Sequence, residues 1–203
     1  MPRKLPRSFY SRPTLRVAQD LLGAFLVRQM GRSILVGKIV EVEAYRGSID
    51  PASHAYRGRT PRNEVMFGKA GHLYVYFTYG MHFCANVVTE RAGKAGAVLL
   101  RAVEPLRGVS SMRANRKKGK GMKNRGLNDE RMLTNGPAKL CQAFNIGRKT
   151  NGADLLGSEI YVVRGNPVAR PDLARSERIG IRNGRNKKWR FFIKNNRWVS
   201  KVP

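Results

Sequence analysis

Two carboxylates, Glu41 and Glu43, stand two residues apart in "IVEVEAYRG" (39–47), and Tyr45 follows at the same interval. On a strand these three side chains share one face, while Val40, Val42 and Ala44 share the other. A carboxylate beside an aromatic ring suits chemistry in which positive charge develops. The carboxylate stabilises that charge and can take a proton from water. Further candidates follow along the chain: His54 in "SHAYRGRTPRN", Tyr74 and Tyr76 in "LYVYFTYGM", Tyr79 just before Gly80, and Arg101 closing "AVLLR". Singly, each has a plain reading. The acids would form a solvated strand face, the period-two tyrosines cross-strand packing, His54 a polar loop residue, and Arg101 an ion pair. Taken together they could line a pocket for a flat, electron-rich or cationic ring, and an unpaired purine fits that description. Aromatic faces stack on bases at roughly 1–3 kcal/mol each. An enzyme acting on a base in a duplex must extrude it and fill the gap. Tyr79, on a turn that Gly80 permits, has the form of a wedge.

The charge balance names the partner class. Forty Lys plus Arg against thirteen Asp plus Glu give +27 in 203 residues. Self-repulsion on that scale calls for a polyanion. Nucleic acid comes first, because phosphate neutralisation drives such binding; an anionic membrane surface comes second. No apolar run is long enough to span a bilayer. The basic start "MPRKLPRSFYSRP" lacks the apolar core of a secretory signal. Cys84 and Cys141 sit in apolar contexts and read as buried free thiols of a reducing compartment, ahead of a disulfide. His54, His72 and His82 have no zinc-like spacing, so neither a metal nor a cofactor is expected.

These residues need a frame. The length and the 41% hydrophobic content suit one domain with a sizeable core. Residues 1–7 read as a flexible basic arm, and "SRPTLRVAQDLLG" as a short helix stopped by Gly23. "AFLVRQMGRSILVGKIVEVEAY" reads as a hairpin turning near Met30 to Ser33. Residues 46–72 form a long loop of the kind that carries function or is disordered. "HLYVYFTYGMHFCANVV" reads as strand, turn, then strand or short helix, and "GAVLLRAVEPL" as a strand. "GPAKLCQAFNI" is a helix with Pro137 in its first turn. "SEIYVVRG" and "RIGIRNGRNKKWRFFIKNNRWVS" read as strands with polar turns. Residues 113–131 form a basic surface loop, either solubilising or phosphate-contacting. The fold class is α+β: a single domain, residues 1–203, with a curved, mainly antiparallel β-sheet flanked by short helices.

"EVEAY", "SHAYRGRTPRN", "GHLYVYFTYGMHFCANVV", "VLLRAVEPL", "NGPAKLCQAF", "RIGI", "WRF" and "WVS" together resemble the alkyladenine (3-methyladenine) DNA glycosylases, the mixed α/β alkylpurine family, in its bacterial form. The match runs in order from about residue 8 to residue 200. The resemblance implies flipping of alkylated or deaminated purines from duplex DNA and hydrolysis of the N-glycosidic bond, leaving an abasic site. It implies Glu43 as the general base toward water, with Arg101 helping to hold that water. Tyr45 would stack on one face of the flipped base, and His54 with Tyr76 would enclose the other. The His54 backbone N–H would donate to the base edge. Asn86 would screen against the exocyclic amine of guanine. Tyr79, with Met81 beside it, would intercalate. Glu41 would be a structural ion pair or an exposed strand position. The expected partner is double-stranded DNA with damaged purines, the expected state a monomer without cofactor, and the expected location the cytoplasm at the nucleoid.

Two stretches depart from the family's pattern: the lysine-rich 113–131 segment and "TERAGKAG" (89–96), both bearing on DNA affinity rather than on the reaction. Two other readings stay open. One is a non-catalytic nucleic-acid binder, which leaves Glu43 beside Tyr45 unexplained. The other is a metal-dependent nuclease using Glu41, Glu43 and Asp50.

Overall fold

The computed structural model describes residues 3–118 and 129–200. Its frame is one antiparallel sheet. Strands β1 (Phe25–Met30) and β2 (Ser33–Tyr45) form the expected hairpin. β3 (Leu73–Thr78) and β4 (His82–Val88) form a second, and β5 (Ala97–Arg107) joins β4 to β2. β6 (Ile160–Val163) closes the far edge, giving the order β3-β4-β5-β2-β1-β6. β2 is long enough to take two partners in succession along one edge. β1 pairs with its first half, and β8 (Arg190–Ile193) pairs with Glu41 to Glu43, carrying β7 (Leu173–Ser176) behind it.

Among the described residues five short α-helices flank the sheet: α1 (Arg7–Tyr10), α2 (Thr14–Asp20), α3 (Val109–Lys118), α4 (Arg131–Thr134) and α5 (Pro137–Ala143). The main core lies between α2, α5 and the sheet, and includes Val17, Leu21, Val40, Val42, Leu100, Leu140 and Phe144. A smaller cluster of Ala55, Met66, Tyr74, Val88 and Ala97 packs under the 46–72 segment. Among the described residues no helix is long and apolar enough to cross a membrane.

Several expectations need correction. The strand face carrying Glu41 and Glu43 is not solvated: both are fully buried, Glu41 against Arg101, Arg190 and Ser200 and Glu43 against Arg101, Tyr45 and Ile179. Residues 3–7 are docked, not free. Leu5 donates its N–H to the Val162 carbonyl at 2.9 Å, and Arg7 pairs with Asp154 at 2.7 Å. The basic segment is helical at its start. Residues 113–118 end α3, where Asn115 donates to the Ala143 carbonyl (2.9 Å) and Arg116 to the Gln142 side chain. Its remaining stretch, 119–128, lies outside the described residues. "RIGI" (178–181) is not a strand, because its backbone and Arg178 turn inward to the site.

The "TERAGKAG" turn also has a structural task. Glu90 reaches the start of α2 and accepts from the Thr14 N–H (2.9 Å) and hydroxyl (3.0 Å). Neither Pro13 nor any other local residue supplies a side-chain cap there.

Candidate active site

The site begins with an irregularity in the β2–β5 pairing. Ile39 faces Val103, Glu41 faces Ala102, and Val42 faces Leu100. Val40 is therefore an extra residue on β2 and Arg101 an extra residue on β5, two opposed bulges that cancel. Bulges re-aim side chains, and here Arg101 comes to lie between the two carboxylates. Its Nε is 2.8 Å from Glu41 Oε1 and its Nη1 is 3.2 Å from Glu43 Oε1. The expected shared face of Glu41 and Glu43 is thus present, and a single guanidinium spans it.

The two acids differ in what else they touch. Glu41 Oε1 also accepts from Arg190 Nε (2.7 Å) and the Ser200 hydroxyl (2.8 Å), and Oε2 from the Ser200 N–H (2.6 Å). Burial alone would raise its pKa. Arg101, the Ser200 amide and Arg190 outweigh that and hold it below the ordinary glutamate value. Glu41 is a structural ion pair; neither it nor Glu43, both fully buried, is among the residues that line the cleft. Glu43 accepts from the Ile179 N–H at 2.7 Å on Oε1 and from the Tyr45 hydroxyl at 2.8 Å on Oε2. A carboxylate has about four acceptor positions. Two of those on Glu43 are taken by hydrogen bonds from described residues, and Arg101 adds an ion-pair contact.

Above Glu43 opens a cleft of about 330 Å³, lined by Tyr45, His54, Tyr76, Asn86, Arg101 and Ile179, with Tyr79 at its rim. That is a ligand-sized volume. All four expected base-pocket residues line it; Met81, expected beside the wedge, does not. Tyr45, half-buried, carries the Arg178 guanidinium against its ring, 4.6 Å from the centroid. Arg178 is itself fully buried and forms a bidentate pair with Asp50 (2.6 and 2.8 Å). This fixes Tyr45 from behind. On the other wall, His54 and Tyr76 meet edge to face with centroids 4.5 Å apart. His54 Nδ1 lies 2.9 Å from the Tyr74 hydroxyl. Burial, then the positive charge of Arg62, lowers the His54 pKa below its ordinary value, favouring the neutral ring. Asn86 donates to the Tyr74 carbonyl at 3.1 Å, so one of its amide hydrogens is committed to the β3–β4 hairpin.

Sequence reasoning missed several contributors. Ile179 acts through a backbone N–H, which leaves no side-chain signal. Asn63, fully buried, ties the loop that carries His54 by donating to the His54 carbonyl (2.8 Å) and the Gly58 carbonyl (2.9 Å). Tyr74 was visible only as the period-two partner of Tyr76. Asp50, a ligand in the nuclease reading, is consumed by Arg178, and Glu41 is consumed by Arg101, Arg190 and Ser200. Among the described residues no group of three or more His, Cys, Asp or Glu could hold a metal ion. Cys84 and Cys141 are both buried free thiols.

The hairpin tip stands out from the protein. Tyr79 is 81% exposed and Met81 49%. An exposed aromatic on a tight turn at the rim of an aromatic cleft, on a strongly basic chain, fits a duplex whose base has been displaced.

Comparison with known proteins agrees with this geometry. Residues 8–197 match the family described as Methylpurine-DNA glycosylase (MPG). A protein of Carboxydothermus hydrogenoformans named "Putative 3-methyladenine DNA glycosylase" is 52% identical over 198 residues, covering 97% of this chain and 98% of its own. Proteins of the same name from Burkholderia lata and Clostridium acetobutylicum are 48% and 46% identical. Each alignment covers 97% of this chain, with 90% and 97% of the respective relative. A match of that extent at that identity, on a chain whose aromatic-lined cleft lies over a buried carboxylate, places this protein in the methylpurine-DNA glycosylase family: it is a DNA repair glycosylase.

Proposed function

We propose that this enzyme flips alkylated purines, 3-methyladenine among them, and deaminated purines out of duplex DNA and hydrolyses their N-glycosidic bond. Glu43 serves as general base. It takes a proton from water as the water oxygen bonds to the anomeric carbon, while the glycosidic electron pair leaves with the base nitrogen. The cation-like sugar is stabilised by the same carboxylate. Arg101 helps hold the water. Tyr45 stacks on one face of the base, with His54 and Tyr76 against the other. The His54 N–H reads the base edge, and Asn86 excludes the guanine amine. Tyr79, with Met81, fills the vacated stack. Purines alkylated at N3 or N7 are cationic and leave as neutral bases without a general acid, whereas a neutral base such as hypoxanthine must take up a proton as it leaves. No lysine nucleophile is invoked, so the product is an abasic site with the strand intact. The protein works as a monomer at the nucleoid in the cytoplasm.

The observation that carries this reading is the buried Glu43 directly under an aromatic cleft, ringed by three residues that line it: Tyr45, Arg101 and Ile179. The test is to incubate the protein with EDTA and a duplex containing ethenoadenine, one containing hypoxanthine, or methylated DNA. Free base and alkali-labile sites are then assayed for the wild type and Glu43→Gln. Release by the wild type that falls about 10²–10⁴-fold in the variant, with DNA binding kept, supports the base assignment. Binding without release from any substrate would favour the non-catalytic binder. A covalent DNA adduct trapped by borohydride would overturn the direct hydrolysis.

A further inference from the structure

Neither acid lines the cleft itself, but Glu43 is held by three residues that do, Tyr45, Arg101 and Ile179, and yet Glu41 takes more of the Arg101 guanidinium than Glu43 does. Arg101 Nε goes to Glu41 (2.8 Å) and Nη2 to the Ser200 hydroxyl (3.1 Å), leaving Nη1, at 3.2 Å, for Glu43. Ser200 is in turn fastened to Glu41 through both its N–H (2.6 Å) and its hydroxyl (2.8 Å). Arg190 adds a second guanidinium to this nearly dry cluster through its contact with Glu41.

Stability alone gives a weak reason for such a cluster. Buried ion networks are often matched or bettered by apolar residues of the same volume. Geometry gives a stronger one. An arginine facing a lone buried carboxylate forms a bidentate pair, with two parallel N–H donors occupying both oxygens. If Arg101 did that to Glu43, then with Tyr45 and Ile179 also donating, the carboxylate would have no acceptor position left for water. A base covered in that way cannot take a proton from water.

We infer that Glu41 and Ser200 are positioning residues for glycosidic hydrolysis: by holding Nε and Nη2 of Arg101, they restrict it to a single contact with Glu43 and leave that carboxylate open to the attacking water. This rests on the reading of Glu43 as the base. The guanidinium is then fixed in direction as well as in charge, facing the cleft with one edge while its other edge is held by groups from β2 and the Trp198–Ser200 segment.

The test is single-turnover excision from a duplex carrying one hypoxanthine, reading the limiting rate and the half-saturating protein concentration separately. Glu41→Gln should lower the limiting rate about 100-fold, the scale set by misplacing a catalytic group, and change half-saturation less than about 3-fold. In an Arg101→Lys background, which has no fork to direct, adding Glu41→Gln should change the rate less than about 3-fold further. Equal losses in both backgrounds would overturn the inference, because Glu41 would then act without Arg101. Ser200→Ala keeps every charge and removes one hydroxyl, so it remains informative if Glu41→Gln folds poorly. It should slow excision about 10-fold, the worth of one hydrogen bond to a charged group. A folded Ser200→Ala protein with the wild-type rate would overturn the inference as well. Glu43→Gln separates the two claims. Full activity there removes Glu43 as base, whereas the Glu41–Arg101 cycle reads the coupling between those two residues alone.

Discussion

Tyr79 and Gly80 adopt left-handed conformations in succession, with φ of 51° and 66°, and the Met81 N–H closes the turn on the Thr78 carbonyl at 3.3 Å. Two positive φ values in a row are what Asn-Gly turns adopt most readily, and here they sit within a three-residue connection, Tyr79 to Met81, between Thr78 and His82. Glycine adopts that conformation freely. Tyrosine does so at a cost of roughly 1–2 kcal/mol. Strain of that kind concentrates where function requires a particular side chain, and among the described residues this side chain is the most exposed of the large apolar ones. Tyr79→Asn creates Asn-Gly, the preferred pair for such φ values. Stability should rise by about 0.5–1 kcal/mol in urea unfolding, while excision from fully paired duplex falls. A variant that loses stability, or that excises as well as the wild type, would remove Tyr79 from the wedge role.

Asp50 and Arg178 form a bidentate pair with no exposed side-chain surface. Two backbone N–H groups, of Arg46 and Ala52, also donate to Asp50, and Arg178 donates to the Ala44 carbonyl. Removing one partner leaves a buried charge without its counterion. Asp50→Asn should therefore lower the unfolding free energy by about 3–5 kcal/mol. Because Arg178 backs the Tyr45 ring, half-saturation by damaged DNA should weaken as well. A loss under about 1 kcal/mol, measured by urea unfolding, would show that the pair is not the anchor of the 46–53 segment.

Acid should destabilise the protein in two stages. The folded-state pKa of His54 is depressed, mainly by burial and then by Arg62. Below the unfolded-state value of about 6.5, the unfolded chain gains a proton that the folded chain refuses, so stability falls with pH in that window. Glu41 is held below its ordinary value of 4.5. Its contribution is complete above that pH and is lost as pH falls through the lower folded-state value. Melting temperature against pH should show both slopes. His54→Gln should flatten the first and leave the second, and an unchanged first slope would assign it to another group.

Glu90 caps α2 from across the fold, with Lys94 paired to its other oxygen at 2.9 Å. Glu90→Ala should cost about 1–2 kcal/mol, the upper range for a lost N-cap. Excision rate and the salt dependence of DNA binding should stay unchanged. A shallower salt slope would instead give the 89–96 turn a part in DNA contact.

Local patterns in the sequence determined a good part of this protein. The period-two spacing of Glu41, Glu43 and Tyr45 put them on one face. Tyr79-Gly80 marked a hairpin tip, Pro137 a helix start, and the excess of Lys and Arg a polyanionic partner. Each is a property of neighbouring residues or of bulk composition, and each survives folding unchanged. The family motifs added roles for side chains and for the backbone amide of His54, but none for Ile179, so its donation to Glu43 was invisible. The β-strand expectation for "RIGI" failed for the same reason, since its donor had left the ladder for the site.

The family resemblance gave Glu41 and Glu43 different roles, but the contacts that make them physically different were decided by tertiary structure. By residue type and local pattern the two are equivalent: same side chain, same strand, same face. What separates them are partners brought from positions 149 and 159 residues away, Arg190 and Ser200, which fill the oxygens of Glu41. Ile179, 136 residues away, and Tyr45 do the same for Glu43 more sparingly. Ionisation and access to water depend on those contacts, and no run of neighbouring residues contains them.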